Sequence, residues 1–413
     1  MELCYYSVRY IRKLLHNRRR RRTMLGLKLM QLGIRSHIRG YNFLAKNVLT
    51  KLKRFSTCSK WLKVPAPKVP ASMAIPKVVI DTDAGLDDAL AIFMALESHK
   101  RGDLEVVAIT TVHGNTKVDN VCVNVLRILQ TADLLEEIPV FVGARESLVH
   151  PWVDPGEPFH GHDGFGDTKL AAPPPPTSLL KPQHSVWELL ELSKKYENEL
   201  VLVALGPLTN VALALRLDPK FTSRLAGFFA MGGNTTALGN ITVCGEFNFT
   251  CDPEAARVVL EGTEQVICLV PWETCLYGIN TTYHERKEMG AVSSPAAQLM
   301  NQIEHKVLNQ KEFDYWITCD QLAMAWMIDD VRNREVANTK GKEHNTEVGS
   351  SSKLTTTSKK CFATIELNGS YTRGQLVIDH ENKLKRNSNL LIMTAADKEL
   401  YRRYLRMAFG AEF

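Results

Sequence analysis

The stretch that most restricts what this chain can fold into is KVVIDTDAGLDDALAIFMALE, Lys77 to Glu97. Val78 to Ile80 form an apolar run short enough for a buried strand, and Asp81, Thr82, Asp83, Ala84 and Gly85 continue it as a turn-forming loop. Leu86, Leu90, Ile92, Phe93 and Leu96 then recur with the spacing of a packed helical face. A buried strand that passes through one short loop into a helix is the opening of a parallel α/β sheet, and such sheets bind ligands at the carboxyl ends of their strands. Asp81, Asp83, Asp87 and Asp88 gather there, four carboxylates within eight residues. One or two acids at a helix start cap it and suit its dipole. Four behind a buried strand repel one another unless a cation or shared protons relieve them, and oxygen-only ligands suit a hard divalent metal.

The rest of the chain alternates in the same way. Leu104 to Val112, Pro139 to Gly143, Leu200 to Leu205, Leu225 to Met231 and Val266 to Val270 read as buried strands, with helical patterns near 117–132, 185–197, 208–216 and 253–261. The expected fold class is therefore α/β, a mostly parallel open sheet flanked by helices. Two later segments, CFATIEL and QLVIDH, read as edge strands, and an amphipathic helix from about Ala395 to Met407 closes the chain. Glu157 to Asp167, rich in Gly, His and acid, reads as a mobile loop beside the site, with an ordinary surface loop as its rival. Asn333 to Lys360 is polar and without periodicity, so residues 333–360 read as a disordered insertion in a folded body spanning 76–413.

Charge divides the chain sharply. Residues 1–75 hold 18 Lys plus Arg and a single acid, Glu2, whereas the remainder holds 33 basic and 44 acidic residues, a net of −11. An acidic body repels phosphate backbones, so no nucleic-acid partner is expected for it. The basic, disordered N-terminal extension has the composition of an organelle transit peptide; a nuclear signal, an anionic-surface tether and a plain disordered leader fit it as well. No apolar run approaches the roughly 20 residues of a membrane helix, so no membrane partner is expected either. Nine cysteines without a CxxC pair point away from zinc ribbons and disulfide frameworks. A reducing, cytoplasmic compartment is the default, with mitochondrial import as the alternative.

Four further loop motifs follow expected strands: His113-Gly114-Asn115, then GPLTN from Gly206 to Asn210, then Gly239-Asn240 through Glu246-Phe247-Asn248, and Cys319-Asp320. Each alone is a common turn or cap. Together with the acids they supply carboxylates and amides around one cavity, the mixture that suits a polyhydroxylated ligand, because hydroxyls need acceptors and donors at once.

These segments, DTDAGLDDALA, TTVHGN, ALGPLTNVALAL, MGGN, GNITVCGEFNFTCDPEAA, CDQLAMAWMID and YTRGQLVID, resemble in order the motifs of the inosine-uridine preferring nucleoside hydrolase family. The resemblance runs from about Pro76 to the end, apart from the polar insertion. It implies a Rossmann-like nucleoside hydrolase fold, hydrolysis of the N-glycosidic bond of purine or pyrimidine ribonucleosides to ribose and free base, one tightly bound Ca²⁺, and a homodimer or homotetramer. Residue by residue it makes Asp83 a calcium ligand and the base that deprotonates a calcium-bound water. Asp88, Asp320 and the backbone carbonyl of Leu205 complete the ligand set. Asp87 and Asn248 hold the ribose 2' and 3' hydroxyls with Asn115 close by, and Asn240 and Glu246 reach the 5' hydroxyl.

The chain also departs from that pattern. Cys319 stands where many relatives carry a His that protonates the departing base, and a neutral thiol is a poor donor in a dry pocket. His160 in the loop is an alternative donor, as is His162, and Trp316 beside Tyr315 stands in the region where a base would leave. Ala84 replaces a common Pro, a change expected to alter loop rigidity. The alternative function is a catalytically impaired, calcium-containing ribose- or nucleoside-binding protein; a haloacid dehalogenase-like phosphatase, suggested by the DxD of Asp81 to Asp83, lacks its other motifs.

Overall fold

The computed structural model describes residues 75–151, 159–170, 174–310, 312–339 and 348–413. The basic leader, apart from Ile75, lies outside the described residues. The central strand is β1 (Lys77–Thr82), buried at every residue after Lys77. It pairs in parallel with β2 (Glu105–Thr111) on one side and with β4 (Leu200–Ala204) on the other. β3 (Val140–Phe141) lies outside β2, while β5 (Gly227–Met231) and β6 (Ile267–Val270) extend the sheet beyond β4, all parallel. Beyond β6 comes a parallel β9 (Leu390–Ala396), then β7 (Thr355–Ile365) antiparallel to β9 and β8 (Leu376–Asp379) antiparallel to β7, giving the order β3-β2-β1-β4-β5-β6-β9-β7-β8. The expected mostly parallel α/β sheet is what forms.

Helices cover both faces. In chain order they are α1 (Leu86–Arg101), α2 (Val118–Thr131), α3 (Ser185–Lys195), α4 (Thr209–Leu217), α5 (Phe247–Cys251) and α6 (Pro253–Gly262). α7 (Trp272–Tyr277), α8 (Tyr283–Met289), α9 (Pro295–Ile303), α10 (His305–Gln310), α11 (Asp320–Thr339) and α12 (Lys398–Ala408) follow. Successive residues of a strand face opposite sides, so the sheet's two faces bury different sets. Val78, Ile80, Val203 and Phe229 pack with α1, α2 and α11 on one face; Val79, Leu202, Phe228 and Leu269 pack with α3, α4 and α6 on the other. α1 is buried nearly all round from Leu86 to Leu96, because α11, α12 and α9 wrap the sides the sheet leaves open.

Three sequence expectations change. The segment 333–360 is not a disordered insertion over its described parts: Asn333 to Thr339 complete α11 and Thr355 to Lys360 open β7, while 340–347 lie outside the described residues. The ordering comes from α11 itself. Asp329 accepts the Ser352 hydroxyl at 2.8 Å and the Leu354 N–H at 2.9 Å with one oxygen, and the Tyr404 hydroxyl at 2.9 Å with the other. The polar composition reflects a strand half that pairs only with β9 and is otherwise exposed. CFATIEL is correspondingly no edge strand, since β7 lies between β9 and β8, and the inner strand β9 escaped notice because its apolar run merges with the pattern of α12. The third change concerns the loop at 157–167. Its described residues are tied to α2 and the turn before it: Thr116 in that turn donates to the His162 carbonyl at 2.7 Å, and Asn124 of α2 to the Asp163 carbonyl at 2.9 Å.

Candidate active site

The chain runs outward from β1 through β2 to β3, then returns to the other side of β1 at β4. At such a reversal the loops leaving adjacent strands part, opening a crevice beyond the strands' carboxyl ends. The loops after β1, β2 and β4 meet in that crevice, carrying Asp83, Asn115 and Leu205.

Asp83 is fully buried. Its Oδ2 accepts the Asn115 backbone N–H at 2.8 Å, and its Oδ1 has no hydrogen-bond partner. Asp88 is as deeply buried and accepts the Gly85 N–H at 2.9 Å and the Asn115 side-chain amide at 3.1 Å, with the Thr82 hydroxyl on its other oxygen. Asp87, Asp88 and Asp320 each bring an oxygen within 4.8 Å of the others. That trio includes Asp87, expected at the ribose, and does not include Asp83, whose Oδ2 the Asn115 amide holds. Burial, and then the neighbouring carboxylates, push the Asp83 and Asp320 pKa values well above the ordinary range. Burial raises Asp87 and Asp88 to about 6. Asp81 stands apart: Thr110 and Asn210 donate to its Oδ1 at 2.6 and 2.8 Å, so it ties strands together beneath the site.

Over these acids lies a cavity of about 300 Å³. Its floor holds Asp87, Asn115, Leu205, Glu246, Asn248 and Asp320; its wall is apolar and aromatic, with Phe159, Trp272, Phe313 and Trp316. The Leu205 carbonyl, expected to face a cation, accepts the Asn248 side-chain amide at 2.7 Å. Glu246 caps α5, taking the Asn248 N–H at 3.0 Å on Oε1 and the Gly233 and Phe249 N–H groups at 2.7 and 3.1 Å on Oε2; burial raises its pKa to about 7. Asn240 lines the same cavity from an exposed loop.

Of the two loop histidines, His160 lines the cavity and His162 is exposed. The Leu86 backbone N–H donates to His160 Nδ1 at 3.0 Å, which places the proton of the neutral ring on Nε2, and burial lowers the pKa to about 4. Cys319 is buried at the cavity with its thiol against Cys275; that contact, then burial, push its pKa well above the usual thiol range. Ala84 adopts a φ of +21°, a backbone conformation closed to proline, so the residue there sets loop shape as well as stiffness. Two motif residues turn out structural. His113 meets the Thr209 hydroxyl at 3.1 Å, and Asn210 donates to Asp81 and to the Thr111 carbonyl. Sequence reasoning missed Glu304, Phe313 and Trp272 on the wall, which lie in no loop motif; their only sign was the aromatic and acidic content before Cys319.

A switch-point crevice with an oxygen-only acid cluster, an amide-rich floor and an aromatic wall defines an α/β protein for a small ligand that is hydroxylated at one end and flat at the other. The comparisons agree with that class. The family model described as inosine-uridine preferring nucleoside hydrolase matches residues 78–403. The inosine-uridine preferring nucleoside hydrolase of Leishmania major is 29% identical over 331 residues, covering 78% of this chain and 93% of that protein. A pyrimidine-specific ribonucleoside hydrolase of Salmonella arizonae is 30% identical over 334 residues, 79% of this chain and 96% of its own length. Among solved structures, an inosine-guanosine nucleoside hydrolase superposes with a TM-score of 0.67 at 30% identity, covering 82% of this chain and 99% of that one. The chain belongs to the inosine-uridine preferring nucleoside hydrolase family. It is a hydrolase acting on N-glycosyl bonds of small nucleoside substrates, in a metal-dependent family.

Proposed function

We propose that this protein cleaves ribonucleosides to ribose and free base with Ca²⁺ as its metal and Asp83 as general base. The observation that carries the proposal is the buried, unpartnered Oδ1 of Asp83 beside three carboxylates whose oxygens lie within 4.8 Å of one another. Only oxygens are offered, and burial together with the neighbouring carboxylates raises their pKa values, a strain that a hard divalent cation relieves. Asp83, Asp88, Asp320 and the Leu205 carbonyl are the residues that would hold it. Bound there, calcium relieves the repulsion and makes water more acidic.

The remaining steps fall to the chain's own groups. Asp83 takes the proton of the attacking water on Oδ1 while the Asn115 amide holds Oδ2 in place. Asp87 and Asn248 bind the 2' and 3' hydroxyls; Asn248, with its amide donors spent on Leu205 and Met231, offers its oxygen. Glu246 Oε1 carries one N–H and has capacity for the 5' hydroxyl alongside Asn240. As the bond opens, positive charge builds on the ribose, and the acid-lined floor stabilises it. His160 donates from Nε2–H to the departing base as a neutral hydrogen-bond donor, the part that Cys319 is chemically unsuited to fill. Among the described residues no helix is long and apolar enough to cross a membrane.

Chromatography of nucleoside incubations tests this reading. The wild-type chain is expected to release base, chelation to slow it, added Ca²⁺ to restore it, and Asp83→Ala to lower the rate by at least about 10²-fold. Full turnover in Asp83→Ala ends the proposal. Nucleoside binding without any base release selects the calcium-containing binding protein instead.

A further inference from the structure

A buried ion pair stands behind the aromatic wall. Glu304 is 3% exposed and Arg286 0%. Arg286 Nε donates to Glu304 Oε2 at 2.6 Å, and its Nη1 donates to Asn301 at 3.0 Å. The other oxygen, Glu304 Oε1, accepts the indole N–H of Trp316 at 3.1 Å. The guanidinium carbon lies 5.4 Å from the centre of the Trp316 ring and 4.4 Å from that of Phe409. Glu304 and Trp316 line the cavity, whereas Arg286 does not.

Holding two charges away from water is costlier than filling the same space with apolar side chains, so the pair is poorly explained as a source of stability. Its geometry supplies something apolar packing lacks, a fixed acceptor for one indole N–H. A nucleobase that leaves with the electron pair of its glycosidic bond gains negative charge, and a bare carboxylate on that side would oppose its departure; Arg286 cancels the charge.

We propose that Glu304 is a positioning residue of the nucleobase subsite, locking Trp316 as the wall against which the base docks, with Arg286 keeping that wall electrically neutral. The proposal rests on the nucleoside reading above and extends it to residues outside the family motifs.

The test uses the full chain with inosine and uridine as substrates and free ribose as a competing ligand. Glu304→Ala and Trp316→Phe are each expected to raise KM by about tenfold to a hundredfold, the worth of one hydrogen bond to a charged group. The ribose inhibition constant stays within about twofold, because neither substitution replaces a residue of the floor, and the double variant is no worse than the poorer single one. Glu304→Gln, which keeps an acceptor for the indole, recovers most of the KM. Additive losses, or a ribose constant that moves in step with KM, overturn the proposal. If Glu304→Ala fails to fold with Arg286 uncompensated, Trp316→Phe, which leaves the ion pair in place, carries the comparison of KM with the ribose constant. If the wild-type chain releases no base, calorimetric affinities for inosine and ribose replace the kinetic constants, so loss of the catalytic reading is distinguished from loss of this one. A wild-type chain that binds no nucleoside overturns both.

Discussion

At the scale of single residues, the site depends on what is missing as much as on what is present. A Cβ built on Gly114 would stand 2.0 Å from Asp83 Oδ2, and one on Gly206 would stand 2.8 Å from Asp83 Oδ1. Glycines that look in sequence like turn residues are clearances for one carboxylate. Gly114→Ala is therefore expected to displace Asp83 and lower kcat by about 10²-fold, with the circular dichroism spectrum unchanged. An active Gly114→Ala enzyme would show that Asp83 has slack. Cys319 makes the opposite case. Its thiol lies against Cys275 with a pKa well above the usual range and is a weak acid, so Cys319→Ser should cost less than tenfold in kcat, against the roughly 10²–10⁴-fold expected from removing a general acid. The acids were legible because four carboxylates after an apolar run have few uses. The roles of His113, Asn210 and Asp81 were not, since which neighbour each side chain meets is set by pairing between strands far apart in the chain, as when Asp81 pairs with Thr110 and Ala204.

At the scale of elements, alternation located β1 to β6 and the longer helices between them, though not the short α5, because a strand buried on both faces and an amphipathic helix leave different periodicities. The region after Trp272 was far less legible. Short helices α7 to α10 hold too few turns to show a period, and β9 shares its apolar run with α12. The join between α11 and β7 was misread because its order comes from Asp329, a residue outside the polar segment it organises. That carboxylate is buried and receives donors from the 352–354 turn and from α12 through Tyr404. Asp329→Ala strands those donors, so a loss of roughly 2–4 kcal/mol is expected in urea unfolding, with Asp329→Asn losing less. A shift below about 0.5 kcal/mol, the range of ordinary surface substitutions, would mean that the turn holds without it.

For the whole molecule, the carboxylate cluster links folding to protons and to cations. Burial raises Asp81, Asp87 and Asp88 from 3.8 in the unfolded chain to about 6 in the fold. Between those values the folded chain holds protons that the unfolded chain has released. The stabilising contribution is then complete below about pH 4 and is lost as pH rises through about 6, the reverse of the trend for salt-bridged carboxylates. A chelated sample is accordingly expected to melt at a lower temperature at pH 7 than at pH 5. If the cluster holds Ca²⁺ as proposed, the ion and protons compete for the same oxygens, so Ca²⁺ should raise the melting temperature more at pH 7 than at pH 5. Its worth is about 2.7 kcal/mol at a hundred times its Kd. Scanning calorimetry at both pH values, with chelator and with Ca²⁺, reads all four states. A melting temperature indifferent to Ca²⁺ at pH 7 removes the cation from the cluster, and Asp83 must then draw its proton from water without help.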